Sequence, residues 1–372
     1  MLGVCGCQAP RRAGGEATPL AEPSAPATAP AAGVPPAASP KPGPGVALLN
    51  PSQTSPDLAN PWVPLARWAQ TKNLPAPERR IDGAVTSYHW RTTNGTLALT
   101  LGSRAFHWNG VECWLGFAPQ AIDGQPCLRS LDAEKNLLPL LTGGARSLGA
   151  GRTIVLDPGH GGEDAGTRSV SSQRFEKDFT LDWARRLQGL LVTNGWTVHL
   201  TRTNDTDRTL ADRVAFAQDH HADLFLSLHF NSAAPRHDQS GLETYCLTPA
   251  GLPSTLTRDF PDDATQVFPN NEFDAQNLQF ASRLHRALIE TTGATDRGLR
   301  HARFMGVLRG QQRPAVLIEG GYLSNPREAD LIATPAYRQK LARAVALAVG
   351  ETVGARPLAS GAPDAKLAAG PK

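Results

Sequence analysis

Across residues 150–353 two hydrophobic rhythms alternate. Short stretches of four to six residues at 152–156, 197–200, 223–228, 242–247 and 315–318 read as strands, 152–156 as a buried one and 223–228 as strongly apolar. Between them the apolar positions space out as on one face of a helix. Phe179, Trp183, Leu187, Leu190 and Leu191 mark a first helix, 210–217 a second, Phe280, Leu284 and Leu288 a third, and 337–353 a closing one. Strands alternating with helices predict an α/β layered structure, a largely parallel sheet flanked by helices. The stretch 248–277 interrupts this rhythm with Pro249, Pro253, Pro261 and Pro269 and reads as an irregular loop insertion.

Upstream the period shortens to two. Leu97 and Leu99 alternate within 96–100, 106–108 follows, Asn109-Gly110 is a hairpin turn signal, 111–115 resumes and Asp123-Gly124 marks another turn. Residues 62–149 therefore read as a small β-rich domain ahead of a catalytic-sized domain at 150–355. His89 and His107 in this region read as surface or core histidines. The stretch from Gly110-Val111-Glu112 through Leu137-Leu138-Pro139-Leu140-Leu141 resembles the copper-amine-oxidase-N-terminal-like domain. That resemblance implies attachment, spacing or wall binding, and neither copper nor redox chemistry. Residues 1–61 hold 13 of the 31 prolines and no Phe, Tyr or Trp. Such a segment buries too little apolar surface to offset its ordering entropy and reads as a disordered Pro/Ala-rich tether, as does the tail 356–372.

Composition narrows the function classes. Thirty-seven basic against 34 acidic residues leave a net charge of +3, scattered along the chain, which argues against a nucleic-acid-binding stripe. No stretch approaches the roughly 18–20 apolar residues of a membrane-spanning helix. Val4-Cys5-Gly6-Cys7 resembles the end of a bacterial lipoprotein signal, which implies a lipid anchor at Cys7 or Cys5. Cys113 and Cys127 flank the Asp123-Gly124 turn, a spacing compatible with a hairpin disulfide, and Cys246 reads as a small buried hydrophobe.

Candidate chemistry gathers where strands end, which is where open α/β sheets bind ligands. Ile154-Val155-Leu156-Asp157 runs into Pro158-Gly159-His160-Gly161-Gly162, Ser227-Leu228 runs into His229-Phe230-Asn231, and Leu317-Ile318 runs into Glu319-Gly320-Gly321. Glu176 opens the first helix. Two imidazoles and one carboxylate can make a three-ligand zinc site with an open position for water, although manganese or cobalt would also suit such nitrogen and oxygen donors. A further carboxylate can then move the proton that hydrolysis requires. The loop 161–175 lacks the Gly-Lys-Ser/Thr and Gly-x-Gly-x-x-Gly spacings of phosphate-cradling loops. His199, His220, His221, His237, His285 and His301 are set outside the site.

These blocks, together with Glu176-Lys177-Asp178 and Glu319-Gly320-Gly321-Tyr322-Leu323-Ser324-Asn325, resemble the zinc-dependent N-acetylmuramoyl-L-alanine amidases of the amidase-3 family over residues 152–352. The resemblance implies one zinc ion held by His160, Glu176 and His229, with Glu319 as the catalytic carboxylate. It implies a peptidoglycan substrate and a place in the bacterial cell envelope, secreted or lipid-anchored. Glu243, in Gly241-Leu242-Glu243-Thr244-Tyr245, and Arg309 match further family positions and are supporting candidates. Asp157 and Asn231 are expected to accept hydrogen bonds from a ligand ring or nearby backbone. The insertion between Leu247 and Gln276 reads as an irregular loop rather than the plugging helix of some regulated members. Two other readings stand beside the amidase: a non-catalytic peptidoglycan-binding or activator protein on the same fold, and a zinc peptidase cutting elsewhere in the stem peptide.

Overall fold

The computed structural model describes residues 60–143, 151–256 and 262–351. The expectations for Cys5, Cys7, the N-terminal tether and the tail beyond residue 351 lie outside these residues. Eight strands open the described chain: β1 (Trp62–Pro64), β2 (Glu78–Asp82), β3 (Val85–Thr92), β4 (Gly95–Thr100), β5 (Ala105–Trp108), β6 (Val111–Trp114), β7 (Gln120–Ile122) and β8 (Gln125–Arg129), with helix α1 (Leu65–Thr71) after β1. A helical stretch at 130–142 follows. Then come β9 (Thr153–Pro158), α2 (Glu176–Thr193), β10 (Thr197–Leu200), α3 (Leu210–Asp219), β11 (Leu224–Asn231) and β12 (Leu242–Cys246). The chain closes with α4 (Asp274–Thr292), β13 (Asp296–His301), α5 (Gly306–Arg309), β14 (Ala315–Tyr322), α6 (Pro326–Ala333) and α7 (Pro335–Glu351).

One sheet of eleven strands runs β10-β9-β11-β14-β12-β13-β6-β5-β4-β3-β2, and β1, β8 and β7 form a separate three-stranded sheet. The large sheet is parallel from β10 through β14, antiparallel at β14–β12, and parallel again at β12–β13 and β13–β6. Beyond β6 it continues as an antiparallel meander. The short-period strands of the N-terminal region therefore extend the α/β sheet instead of folding beside it.

The alternation that marked β4 and β5 follows from this placement. Tyr88, Trp90, Leu97, Leu99, Phe106, Trp108, Val111 and Cys113 turn one face of the meander inward, while the intervening residues face out. Asn109 and Gly110 sit at φ +50° and +83°, the left-handed pair that a two-residue hairpin turn demands. β2 escaped the pattern because all five of its residues are exposed at the sheet's edge. No disulfide joins Cys113 to Cys127: both are buried free thiols, and β6 and β8 belong to different sheets.

β9, β11 and β14 are covered on both faces, so they read as continuous apolar runs. Leu156, Leu226, Leu228, Phe230, Val316 and Ile318 pack in the larger core with Phe179, Trp183, Leu284 and Leu341, which come from α2, α4 and α7. Val155, Phe225, Tyr245, Ala315 and Leu317 form the second core with Ala217, Val307 and Leu308, from α3 and α5. Described residues between β12 and α4 contain no α-helix, only a short 3-10 turn at Pro269–Phe273, in keeping with an irregular insertion.

His301, at the end of β13, is 3% exposed, and burial with Arg104 and Arg303 nearby pushes its imidazole down to about 4. The unfolded chain then binds a proton at pH values where the fold excludes it. Stability is full above the ordinary value near 6.5, falls as the pH drops from there, and levels off below about 4. That window is expected to cost the protein about 3 kcal/mol. Urea unfolding of His301→Gln against the parent at pH 7 and pH 4.5 checks this: the variant should lose much of the pH slope, and an unchanged slope would remove His301 as its source.

Candidate metal and active site

The parallel register brings the strand-end residues together. β11 aligns His229 with Glu319 of β14, and β14 in turn aligns Glu319 with Glu243 of β12. Residues in register on neighbouring strands project from the same face. These three therefore form a row beside Ser227, Leu317 and Tyr245, one pleat earlier.

His160 reaches this row by leaving β9 at Pro158 through a turn, with its own φ at +62°. The neighbouring glycines make the approach sterically feasible. A Cβ on Gly159 would stand 2.3 Å from the His229 ring, and one on Gly166 would stand 2.7 Å from the His160 ring and 2.8 Å from Glu176. Two buried arginines hold the turn. Arg213 donates to the carbonyls of Pro158 at 3.0 Å and His160 at 2.9 Å, and Arg202 donates to those of Pro158 at 3.0 Å and Gly159 at 2.9 Å. Arg202, pushed down to about 10 by burial and by Arg213 beside it, still carries its charge at neutral pH.

Glu176 begins α2, where a carboxylate suits the helix dipole, and Asp178 caps the turn by accepting the Phe175 N–H at 3.2 Å. Its two oxygens divide between the imidazoles. Oε2 lies 3.2 Å from His160 Nε2 and Oε1 lies 3.0 Å from His229 Nδ1. Backbone N–H groups of Thr167 and Phe230 donate to the same carboxylate at 3.1 and 3.0 Å. Burial alone would raise this acid, but His160 and His229 together outweigh it and hold the carboxyl well below the usual carboxylate range. All three residues are at most 3% exposed, and their candidate ligand atoms lie within 4.8 Å of one another. Zinc bonds of about 2.0–2.1 Å in a tetrahedral site separate neighbouring ligand atoms by about 3.3 Å. Each imidazole nitrogen faces a different oxygen of Glu176, one candidate atom from each of the three residues lies within 4.8 Å of the others, and a donor set of two nitrogens and one oxygen fits zinc.

Not every supporting candidate sits where expected. Asp157 is held by side chains of three surrounding segments. It accepts from Thr201 at 2.6 Å, Ser227 at 2.8 Å and Arg213 at 2.6 Å, so it acts on the His160 turn through Arg213. Asn231 donates to Glu243 at 2.7 Å. Glu243 is also bound by Tyr245 at 2.9 Å and Arg297 at 3.0 Å. Arg309 donates to the Arg303 carbonyl at 2.6 Å and lies over the Phe268 ring. The residue that does hold a ligand ring is Asp164, 2.8 Å from His160 Nδ1. Its only sequence signal was a carboxylate four residues after His160. Nor do Arg202 and Arg213 announce themselves: one stands between two threonines and the other directly after Asp212, polar surroundings that give no sign of burial. Among the excluded histidines, His199 packs at a tilt against His220, His237 bonds the Ser324 carbonyl and His285 lies between Thr244 and Asp296.

A family model described as N-acetylmuramoyl-L-alanine amidase matches residues 154–351, more than half of the chain. The chain belongs to that family.

Membership makes it a hydrolase of the peptidoglycan amidase class. The matched residues span β9 to α7 and include all four strand-end and helix-start candidates. The amidase is 30% identical over 223 residues to N-acetylmuramoyl-L-alanine amidase AmiA of Escherichia coli, covering 54% of this chain and 76% of that protein. It is 32% identical over 195 residues to N-acetylmuramoyl-L-alanine amidase LytC of Bacillus subtilis, covering 52% of this chain and 34% of that one. Among solved structures, the catalytic domain of the amidase CwlV from Bacillus (Paenibacillus) polymyxa var. colistinus is similar at 30% identity and a TM-score of 0.46, covering 55% of this chain and 99% of that chain.

Proposed function

We propose that the amidase cleaves the amide between the lactyl group of N-acetylmuramic acid and L-alanine of the stem peptide, with a zinc ion held by His160, Glu176 and His229. The observation that supports this most is the buried nitrogen, nitrogen, oxygen donor set with Glu319 in register beside it. When bound there, zinc would polarise the carbonyl and lower the pKa of a water toward 7.

The chain's own residues then have separate tasks. Glu176 and Asp164 orient the imidazoles, Arg202 and Arg213 brace the His160 turn, and Glu319 moves the proton. Its carboxylate takes a proton from the attacking water as the new C–O bond forms. The resulting acid returns that proton to the alanine nitrogen as the C–N bond breaks, which leaves a lactyl carboxylic acid and a free amine, and these ionise to carboxylate and ammonium at neutral pH. In this reading residues 150–355 carry the catalysis, residues 62–149 support it, and the enzyme works in the bacterial cell envelope. The described residues contain no helix long and apolar enough to cross a membrane, and anchoring at Cys7 or Cys5 would be a separate property of the N-terminal segment.

Digestion of purified peptidoglycan by the zinc-loaded full chain, read by mass spectrometry, tests the proposal. The expected products are intact stem peptides beginning at L-alanine, together with unmodified glycan strands. Fragments cut inside the stem would replace the amidase with a peptidase. Binding to the wall without any product would replace it with a non-catalytic wall-binding protein.

A further inference from the structure

One route from the N-terminal strands toward the candidate active site runs through Trp114 and Arg300. β6 and β13 run parallel with Cys113 beside Leu299, so Trp114 and Arg300 are neighbours one residue on. The Arg300 guanidinium lies 4.3 Å from the centre of the Trp114 ring system. The indole is fixed from two sides. Its N–H donates to Glu112 at 2.8 Å, and the Glu112 N–H donates to Asp296 at 2.9 Å. Gly298 lets the ring come close: a Cβ there would stand 2.9 Å from the indole nitrogen.

Arg300 leads onward to the row of carboxylates. Its Nε donates to the Arg297 carbonyl at 3.0 Å and lies 3.6 Å from Glu243 Oε1, the oxygen that also accepts from Arg297 at 3.0 Å. Asn231 and Tyr245 occupy the second oxygen. Glu243 is 3% exposed and stands in register with Glu319. A buried carboxylate beside a second one is tolerable when cations hold and neutralise it. The two arginines do so, and Trp114 is the surface on which one of them rests.

We propose that Trp114, contributed by the N-terminal β strands, is a positioning residue for the amidase reaction: by stacking on Arg300 it keeps the Arg297–Arg300 pair on Glu243 and so holds the neighbour of Glu319 in place. This goes beyond a wall-attachment role for residues 62–149, and it rests on Glu319 as the proton-transferring carboxylate.

The test measures kcat and KM of the zinc-loaded full chain on a soluble N-acetylmuramoyl-L-alanyl peptide, a substrate too small for wall attachment to matter. Trp114→Leu is expected to lower kcat about ten- to a hundredfold, the scale of a small misplacement near the chemistry, with KM within about threefold. Trp114→Phe, which retains a ring face, should recover most of the loss. Arg300→Gln should match Trp114→Leu, and the double variant should be no worse than either single one. Zinc content and far-ultraviolet circular dichroism should stay at parental values throughout. Arg300→Gln keeps the N-terminal strands intact and carries the test if Trp114→Leu fails to fold. A parental kcat in Trp114→Leu or Arg300→Gln, equal losses in Trp114→Phe and Trp114→Leu, additive losses in the double variant, or a rise in KM alone would each overturn the inference. Glu319→Gln separates the two levels. An active Glu319→Gln removes the underlying mechanism, whereas an inactive one alongside a fully active Trp114→Leu removes only the role of Trp114.

Discussion

Replacing Glu319 with Gln is expected to reduce turnover by about a thousandfold or more while zinc remains bound. The side chain is fully buried and stands in register with His229, so the amide isostere fits the same space. What it loses is the capacity to accept a proton from water and return it to the leaving nitrogen. General acid–base groups contribute typically about 10²–10⁴-fold, and here one residue serves in both directions. Turnover of a soluble muramoyl peptide and metal content by mass spectrometry, measured on the same preparation, check the expectation. Retention of activity within tenfold of the parent would remove Glu319 from the mechanism. Loss of zinc together with activity would recast it as part of the metal's support.

The second large effect is expected from the metal set itself. Removal of zinc with a chelator should abolish hydrolysis, and added zinc should restore it. His229→Ala should abolish hydrolysis without such rescue. The physical reason lies in how the three residues are buried. Glu176 takes two backbone N–H bonds and faces both imidazoles with no bulk water to share the load, so loss of one donor leaves a two-ligand site. A ligand that binds only the folded state also stabilises it, by about 4 kcal/mol at a thousandfold excess over its dissociation constant. Zinc should therefore raise the melting temperature of the parent and leave that of His229→Ala nearly unmoved. Asp164→Asn is expected to fall between the two, with zinc affinity weakened about ten- to a hundredfold, because it alters the group that orients the His160 ring and not a ligand. A zinc-independent melting temperature in the parent would count against a metal at this site.

Much of this architecture is written in local pattern. The strands at 153–158, 197–200, 224–231, 242–246 and 315–322 and the long helices between them emerge within a few residues of where apolar spacing places them. Burial on both faces favours apolar residues through most of β9, β11 and β14, with Ser227 a buried polar residue inside β11. The polar residues that do follow, His160, His229 and Glu319, stand out because they occupy the ends of such runs. Their candidacy was legible for the same reason, since open α/β sheets bind ligands outside their strand ends.

What the tertiary structure decided is everything that depends on partners distant in sequence. Asp164 orients His160, but a carboxylate in a glycine-rich loop carries no mark of where it points. Asp157 is at a strand end like the others, yet its partner is Arg213, brought beneath it by α3, so it steadies the backbone turn. Arg309 resembled a site residue by its neighbours in sequence, and the fold turns it onto Arg303 and Phe268. β2 has no apolar alternation because all five of its residues are exposed, and its pairing with β3 is what makes it a strand. The continuation of the parallel sheet through β13 into β6 was likewise invisible, since strand pairing is a relation between segments about 185 residues apart and leaves no periodic trace in either. Local spacing determines which residues can form strands, helices and strand ends; the register between distant strands determines which of those ends share a face, and that sharing is what makes a site.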